Sequence, residues 1–285
     1  MLAKCEMNNP TLSIKDRMVL YMLNKAEKNN EIKKGATLIE ASSGNTGCAL
    51  AMIGAAKGYS VIITTTTKTS AEKIAMMKSY GAIIHICDAT LDEDNPDHYI
   101  SLAKKLSSTL PNAYFLNQYN NIANREAHYH TTGPEIWHQT QGKIDYFVAS
   151  GSSGGTISGV GRYLKEKNPA IKIILADPIG SCYYSYFKTG KINSTEIKSY
   201  KVEGAGKNKL CACMDFSVID DVIQFSDKEA FETVKQLKAS DNIFAGGSAG
   251  GALFVAGQLT DDEKNPANIV VILPDSGLKY SYLLR

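Results

Sequence analysis

Three short loops and one lysine hold the residue types from which a chemical site could be built. The loops are Ser42-Ser43-Gly44-Asn45-Thr46-Gly47, Ser152-Ser153-Gly154-Gly155-Thr156 and Gly246-Gly247-Ser248-Ala249-Gly250-Gly251. Glycine lets the backbone approach a ligand and turn its N–H groups inward, and a following helix adds positive potential, so each loop could hold an anion. Tight strand-to-helix turns also need glycine for purely structural reasons, so one such loop is a weak signal. Three in one chain point to a ligand. None is a G-x-G-x-x-G dinucleotide loop, and no G-x-x-x-x-G-K-[ST] occurs, which moves nucleotide chemistry down the list.

Lys15 sits in Asn9-Pro10-Thr11-Leu12-Ser13-Ile14-Lys15-Asp16-Arg17, where a turn becomes a helix. A surface lysine is one reading. The other is chemical: at a helix N-terminus the peptide dipoles oppose a cation, lower the lysine pKa and favour the neutral amine that a Schiff base needs.

The elements that must position these residues alternate from end to end. A short β-branched run is followed by a Gly- or Ser-rich loop and then an amphipathic stretch, the pattern of an α/β fold. Strands are expected at Thr37–Glu40, Val61–Thr65, Ile83–Cys87, Tyr146–Ala149, Ile171–Ala176, Val222–Phe225, Ile243–Ala245 and Ile269–Leu273. Their continuous apolar runs suit buried parallel strands. Helices are expected at Asp16–Lys28, Thr46–Ala56, Ala71–Ser79, Tyr99–Ser107, Glu126–Gln139, Thr156–Lys167, Lys228–Ala239 and Ala249–Gln258, several opening on Ser, Thr or Asp and closing near Gly. Without repeats or a long linker, two lobes meeting at a cleft are expected, 1–140 and 141–285, with the change of lobe between Gln118 and Gly142.

Composition narrows the partners. The 285 residues are 44% hydrophobic, enough for a sizeable core, and 31 basic against 29 acidic residues leave a net charge of +2. That field is too weak to imply nucleic acid or a membrane surface, so a small soluble partner is expected. The longest apolar stretch, Cys48 to Ala56, is too short to span a bilayer, and the opening Met-Leu-Ala-Lys-Cys-Glu lacks a signal-peptide core; a cytoplasmic protein is expected. The six cysteines form no C-x-x-C pair or zinc cluster and read as reduced thiols. Cys211 and Cys213, if on a strand, would point the same way, as a redox or metal pair or as small buried hydrophobes. His128 and His130, two apart on a helix, do not share a face, so no metal is expected there.

Five ordered phrases give these signals a family. Asn-Pro-Thr-x-Ser-Ile-Lys-Asp-Arg, Ser-Gly-Asn-Thr-Gly, Ser-Gly-Gly-Thr-Ile-Ser-Gly, Gly-Gly-Ser-Ala-Gly and Leu-Pro-Asp-Ser-Gly resemble, in that order, the pyridoxal-phosphate-dependent cysteine synthase and cystathionine β-synthase family, from Met1 to about Tyr282. The resemblance implies the tryptophan-synthase-β-like fold type II, two lobes of twisted, mainly parallel sheet flanked by helices. It implies that Lys15 forms the Schiff base with pyridoxal 5'-phosphate and later acts as general acid and base. Asn45 would bond the phenolic oxygen of the ring, Ser152, Ser153, Gly154, Gly155 and Thr156 would cradle the phosphate, and Ser276 would face the pyridine nitrogen. Ser42, Ser43, Thr46 and Gln118 match positions that bind the substrate α-carboxylate. The implied reaction is β-elimination and β-replacement on serine, O-acetylserine or cysteine through an aminoacrylate, forming cysteine or cystathionine. A neutral hydroxyl at Ser276 weakens the ring as an electron sink, which suits loss of a β-substituent.

The match has departures. Ser152 and Leu12 stand where the family tends to have Gly, and Lys207 stands where an aromatic or small residue is usual; Lys207 could meet a substrate carboxylate or be solvated, and Asp215 is a candidate polar group near the substrate. The chain starts inside the family's pattern, without a Gly-Asn-Thr-Pro-Leu phrase; the opening strand that the resemblance implies would be missing, and reduced stability or even inactivity is one reading of that. Val202-Glu203-Gly204 and its companions look like the cystathionine β-synthase branch without a haem segment or regulatory tail. Alternatives are a cysteine desulfhydrase releasing hydrogen sulfide, a serine or threonine dehydratase on the same fold, and an inactive homologue that binds a metabolite or partner. A homodimer is a further implication of the resemblance.

Overall fold

The apolar runs of the sequence become two separate parallel sheets. The computed structural model describes residues 1–92, 94–259, 267–280 and 283. The chain divides into an inner unit, Asn9–Ala123, and a split unit made of Met1–Asn8 with Asn124–Arg285. A boundary between the two units falls at 123/124, within the stretch from Gln118 to Gly142. The first eight residues join the split unit because β1 (Leu2–Cys5) pairs with the last strand of that unit, Leu2 opposite Val270 through Cys5 opposite Leu273.

The inner unit runs α1 (Lys15–Lys28), β2 (Thr37–Ala41), α2 (Asn45–Ala56), β3 (Ser60–Thr66), α3 (Ala71–Ser79), β4 (Ile83–Cys87), α4 (Tyr99–Thr109) and β5 (Ala113–Phe115). Its strands lie in the order β4-β3-β2-β5, all parallel. Side chains alternate across a strand. Ile39 and Ala41 of β2 pack with Ile62 and Ala103 on the α4 side, whereas Leu38 reaches the opposite side, against Gly54 of α2.

The split unit continues with α5 (Ala123–His130), α6 (Thr132–Gln139), β6 (Tyr146–Ser150), α7 (Gly155–Lys167), β7 (Lys172–Pro178), α8 (Cys182–Thr189), β8 (Asp221–Phe225), α9 (Asp227–Asp241), α10 (Gly247–Gly257) and β9 (Ile269–Leu273). Its sheet has the order β1-β9-β6-β7-β8, again parallel throughout. Its core joins Val148, Val271, Leu273 and Phe225 to Ala249, Ala252 and Val255 of α10. Each such large side chain taken fully out of water contributes about 1.5–3 kcal/mol.

Strand order locates the ligand-binding ends. In an open parallel sheet the crevice forms at the carboxyl ends of two neighbouring strands whose connections leave in opposite directions. In the inner unit those strands are β2 and β5, and in the split unit β6 and β9. The residues just beyond them are Ser42–Gly47, Gln118, Ser152–Thr156 and Ser276.

Several expectations change. Ile243–Ala245 forms no strand; only Ala245 makes a bridge, antiparallel, to Ser276. The run is too short before Gly246 and Gly247 turn the chain into α10. The single helix expected at Glu126–Gln139 is two, broken at Thr131 (φ −124°, ψ −69°). Cys211 and Cys213 are buried but lie outside any strand, and among the described residues no cluster of His, Cys, Asp and Glu could hold a metal.

Candidate active site

Lys15 is the first residue of α1 and is half-buried. The turn before it is tied down by Asp16, whose carboxylate accepts the Thr11 amide at 2.7 Å and the Thr11 hydroxyl, while the Leu12 amide donates to the Asn9 carbonyl at 2.8 Å. Leu12 takes the left-handed conformation (φ 60°). That accounts for glycine being favoured there and imposes about 1–2 kcal/mol on a side chain. Leu12→Gly should therefore stabilise the inner unit by less than about 1 kcal/mol, glycine's own entropy of roughly 0.5–1 kcal/mol offsetting part of the relief. The urea midpoint measures this, and a fall would show that the Leu12 side chain contributes more by packing.

The β2–α2 loop is held from within. Ser42 Oγ accepts the amides of Gly44 (3.2 Å) and Gly47 (3.0 Å), and Asn45 opens α2. Thr46 donates its hydroxyl to Gln118 Oε1 at 2.7 Å, which ties the start of α2 to the segment after β5. Ser42, Thr46 and Gln118 are buried and Ser43 is exposed. The four residues expected to bind a carboxylate are thus brought together at the β2/β5 end of the inner sheet. The buried side chain of Lys73, in the first turn of α3, lies beside Gly44. Glu40, one strand residue before the loop, is fully buried, and neither carboxyl oxygen closes a well-formed hydrogen bond. Burial pushes this acid up to about 8, against the opposing influence of Gln118 and the Asn117 backbone.

The β6–α7 loop is built for an anion. Gly154 adopts φ +87° as N-cap, Gly155 begins the 13-residue α7, and the Ser158 amide returns to the Gly154 carbonyl at 3.0 Å. Ser152 has no left-handed backbone, so the serine there distorts nothing; its carbonyl accepts the Tyr183 hydroxyl at 2.5 Å. Asn124 and His128, four apart on α5 and therefore on one face, address the loop's hydroxyls: Asn124 Nδ2 donates to Ser153 Oγ (3.0 Å) and His128 Nε2 meets Thr156 Oγ1 (3.3 Å). His128 Nδ1 meets Thr132 Oγ1 at 2.9 Å. Ser276 follows β9 and caps the turn 277–279 through the Leu278 amide at 3.2 Å. The third loop is structural in its contacts: Ser150 Oγ donates to the Ser248 carbonyl at 2.9 Å, and a side chain at Gly250 or Gly251 would strike Ala230 or Phe225. Asp215 forms an ion pair with Arg125 at 2.8 Å, and the Lys207 backbone bonds Ser181 Oγ and the Cys182 amide.

A profile of pyridoxal-phosphate dependent enzymes matches residues 1–275. The chain belongs to that family. It is 41% identical over 280 residues to the cystathionine beta-synthase of Oryctolagus cuniculus, covering 98% of this chain and 50% of that one. It is 38% identical over 283 residues to the cysteine synthase of Buchnera aphidicola subsp. Acyrthosiphon pisum, covering 98% and 88%. The chain spans about half the length of the cystathionine beta-synthases it matches. Among solved structures, a hydrogen sulfide-producing enzyme with an α-aminoacrylate intermediate superposes with a TM-score of 0.89 at 33% identity, covering 99% of this chain and 84% of that one. An O-ureido-L-serine synthase also gives 0.89, at 29% identity with 98% and 84% covered. These neighbours bear out the fold type II architecture.

Pyridoxal phosphate is the cofactor of this family, and the residues present fit it. A phosphate dianion needs several convergent donors at a helix N-terminus, and the amides and hydroxyls of Ser153 to Thr156 at the head of α7 are such a set. A primary amine for the aldehyde is present in Lys15. Sequence reasoning missed the support for this loop: Asn124 and His128 were readable only as an i, i+4 polar pair, a signal that an exposed helix face also gives.

Proposed function

We propose that the chain catalyses β-elimination and β-replacement on an amino acid of the serine, O-acetylserine or cysteine class, yielding cysteine or cystathionine. The observation that carries this reading is a second anion cradle. The Ser42–Gly47 loop, with Thr46 bonded to Gln118, offers a helix N-terminus and hydroxyls to one more negative group than the cofactor phosphate requires. A substrate α-carboxylate fits that role.

Bound pyridoxal phosphate supplies the electron sink that makes the Cα proton of an amino acid removable. Lys15 would hold the cofactor, and its amine would take the proton at Cα and return one to the departing group or product. Asn45 would orient the cofactor ring, Ser152–Thr156 would hold its phosphate, and Ser276 would offer the ring a neutral hydroxyl. Ser42, Ser43, Thr46 and Gln118 hold the α-carboxylate and so orient the Cα–H bond for Lys15.

The similarity to a hydrogen sulfide-producing enzyme favours one second reading, cysteine desulfhydration at the same site. A cytoplasmic setting is part of the proposal, supported by six free cysteines, as is a homodimer, to be weighed in solution.

The test begins with the purified chain and pyridoxal phosphate. A visible absorption band, moved by one of serine, O-acetylserine or cysteine, is expected, and borohydride should fix the cofactor to Lys15. Sulfide from cysteine alone selects the desulfhydrase, and pyruvate from serine a dehydratase. A folded chain with no band and no adduct on Lys15 refutes the proposal.

A further inference from the structure

A loop that is to hold an anion must turn its carbonyls away from it. In the β6–α7 loop the carbonyls of Gly151 and Ser152 come just before the amides at the head of α7, and both are taken up within the split unit. The Gly151 carbonyl accepts the Gly206 amide at 2.8 Å, and the Ser152 carbonyl accepts the Tyr183 hydroxyl at 2.5 Å. Ser181 gathers both donors: its Oγ accepts the Tyr183 amide at 3.3 Å and the amide of Lys207, the residue after Gly206, at 3.1 Å. Tyr183 is fully buried on α8, its ring edge-to-face with Phe216 at 5.8 Å between centroids. α8 follows β7, the neighbour of β6 in the sheet, and the Tyr184 amide ties its first turn to Asp177 at the end of that strand. Burial pushes the Tyr183 phenol up, so it remains protonated and a donor at neutral pH.

A trans peptide is planar, and its C=O and N–H point in opposite directions. Fixing the Ser152 carbonyl on Tyr183 therefore fixes the Ser153 amide on the other side of the chain. Among the described residues that amide closes no hydrogen bond. We propose that Tyr183 is a positioning residue of the cofactor phosphate loop: its hydroxyl holds the Ser152 carbonyl away from the anion and so turns the Ser153 amide toward it. The proposal rests on the reading of Ser152–Thr156 as the phosphate cradle. Without the hydroxyl the 152–153 peptide can rotate, which brings a carbonyl dipole toward the phosphate and takes one donor away. The rest of the loop is held elsewhere, Gly154 against the Met214 backbone and Ser153 by Asn124, so this one peptide is the part that Tyr183 sets. Tyr183 acts on the phosphate alone in this role, and its loss should weaken the phosphorylated cofactor and leave an unphosphorylated aldehyde unaffected.

The experiment titrates the full chain with pyridoxal phosphate and with pyridoxal, which carries the same aldehyde and no phosphate, for the unsubstituted protein, Tyr183→Phe and Tyr183→Leu. Phenylalanine keeps the ring and its contact with Phe216 and removes the hydroxyl alone; leucine is the second variant without a hydroxyl. In both, the Kd for pyridoxal phosphate, read by fluorescence, should rise by roughly tenfold, the size of one hydrogen bond to a charged group. The Kd for pyridoxal should change by less than about threefold. Inorganic phosphate gives a reading without the aldehyde: the rise that it brings to the urea midpoint of the parent should shrink in both variants. Equal weakening toward pyridoxal phosphate and pyridoxal overturns the proposal in favour of a packing role, as does failure of both variants to fold. An unchanged Kd for pyridoxal phosphate in Tyr183→Phe, or a phosphate effect on the urea midpoint as large as the parent's, overturns it too. If the unsubstituted chain binds pyridoxal phosphate no better than pyridoxal, the reading of the 152–156 loop falls and this role with it; a clear parent preference that Tyr183→Phe retains removes the Tyr183 role alone.

Discussion

Gly154→Ala should destabilise the split unit by roughly 2–5 kcal/mol and abolish retention of pyridoxal phosphate. Two effects coincide at this residue. Its φ of +87° is left-handed, which adds about 1–2 kcal/mol for any residue with a Cβ. The new Cβ would also sit 2.5 Å from Met214 Cα and 2.8 Å from Met214 N, both backbone atoms that cannot rotate away. Overpacking of that kind adds typically 1–3 kcal/mol. The loop must shift, and the shift moves the amides at the head of α7 on which a phosphate depends. Gly190→Ala is the matched control, with φ +72° and nothing within 4 Å of the added atom. It should lose only about 1 kcal/mol and keep the cofactor. Urea midpoints and a fluorescence titration with pyridoxal phosphate separate the two, and equal losses at both glycines would sink the contact argument.

How far the sequence carried can be judged residue by residue. Ile83–Cys87 and Ile269–Leu273 are strands with the expected bounds, and Ala71–Ser79 a helix with the expected bounds, because an apolar run, broken only by His85 in the first strand, and a Ser70 cap speak locally. β1 and β5 were invisible: Leu-Ala-Lys-Cys is an edge strand with no buried run, and Ala-Tyr-Phe is three residues long. α8 was hidden by Tyr-Tyr-Ser-Tyr-Phe, which are weak helix formers. Its Ser181 cap and left-handed Gly190 were the signals that could have found it.

The candidate site was more legible than the fold around it. Close backbone approach and anion binding each demand particular residue types in consecutive positions, so Ser42–Gly47 and Ser152–Thr156 announce themselves. What positions them comes from distant segments: Gln118 reaches Thr46 across 72 residues, and Asn124 reaches Ser153 across 29. Only strand order joins such pairs. The β2/β5 and β6/β9 switch points explain why loops far apart in sequence carry related glycine and hydroxyl patterns. Glu40 was readable in principle, as an acid inside Leu-Ile-Glu-Ala, a run otherwise suited to a buried parallel strand.

Two of the buried acids, Glu40 and Asp177, should make stability fall as pH rises, and their amide variants should remove that dependence. Glu40 rises from an ordinary 4.5 to about 8 through burial. Asp177, at the end of β7, rises from 3.8 to about 7, again through burial, with Ser181 and the Tyr184 amide opposing. Asp177 Oδ2 accepts that amide at 3.0 Å, while Oδ1 is buried without a hydrogen bond. In each case the folded chain keeps a proton that the unfolded chain has released. The contribution of each acid is therefore fully present below its unfolded value and is lost as pH climbs to the folded one. At 1.36 kcal/mol per unit, shifts of this size amount to on the order of 4 kcal/mol at full span for each group. Asparagine at 177 retains an acceptor for Tyr184, so Asp177→Asn and Glu40→Gln should gain on the parent from pH 5 to pH 8. Their advantages should be independent, since one acid lies in each unit. Urea unfolding at the two pH values measures this, and parallel pH profiles for parent and variants would mean that both acids are already ionised in the folded chain.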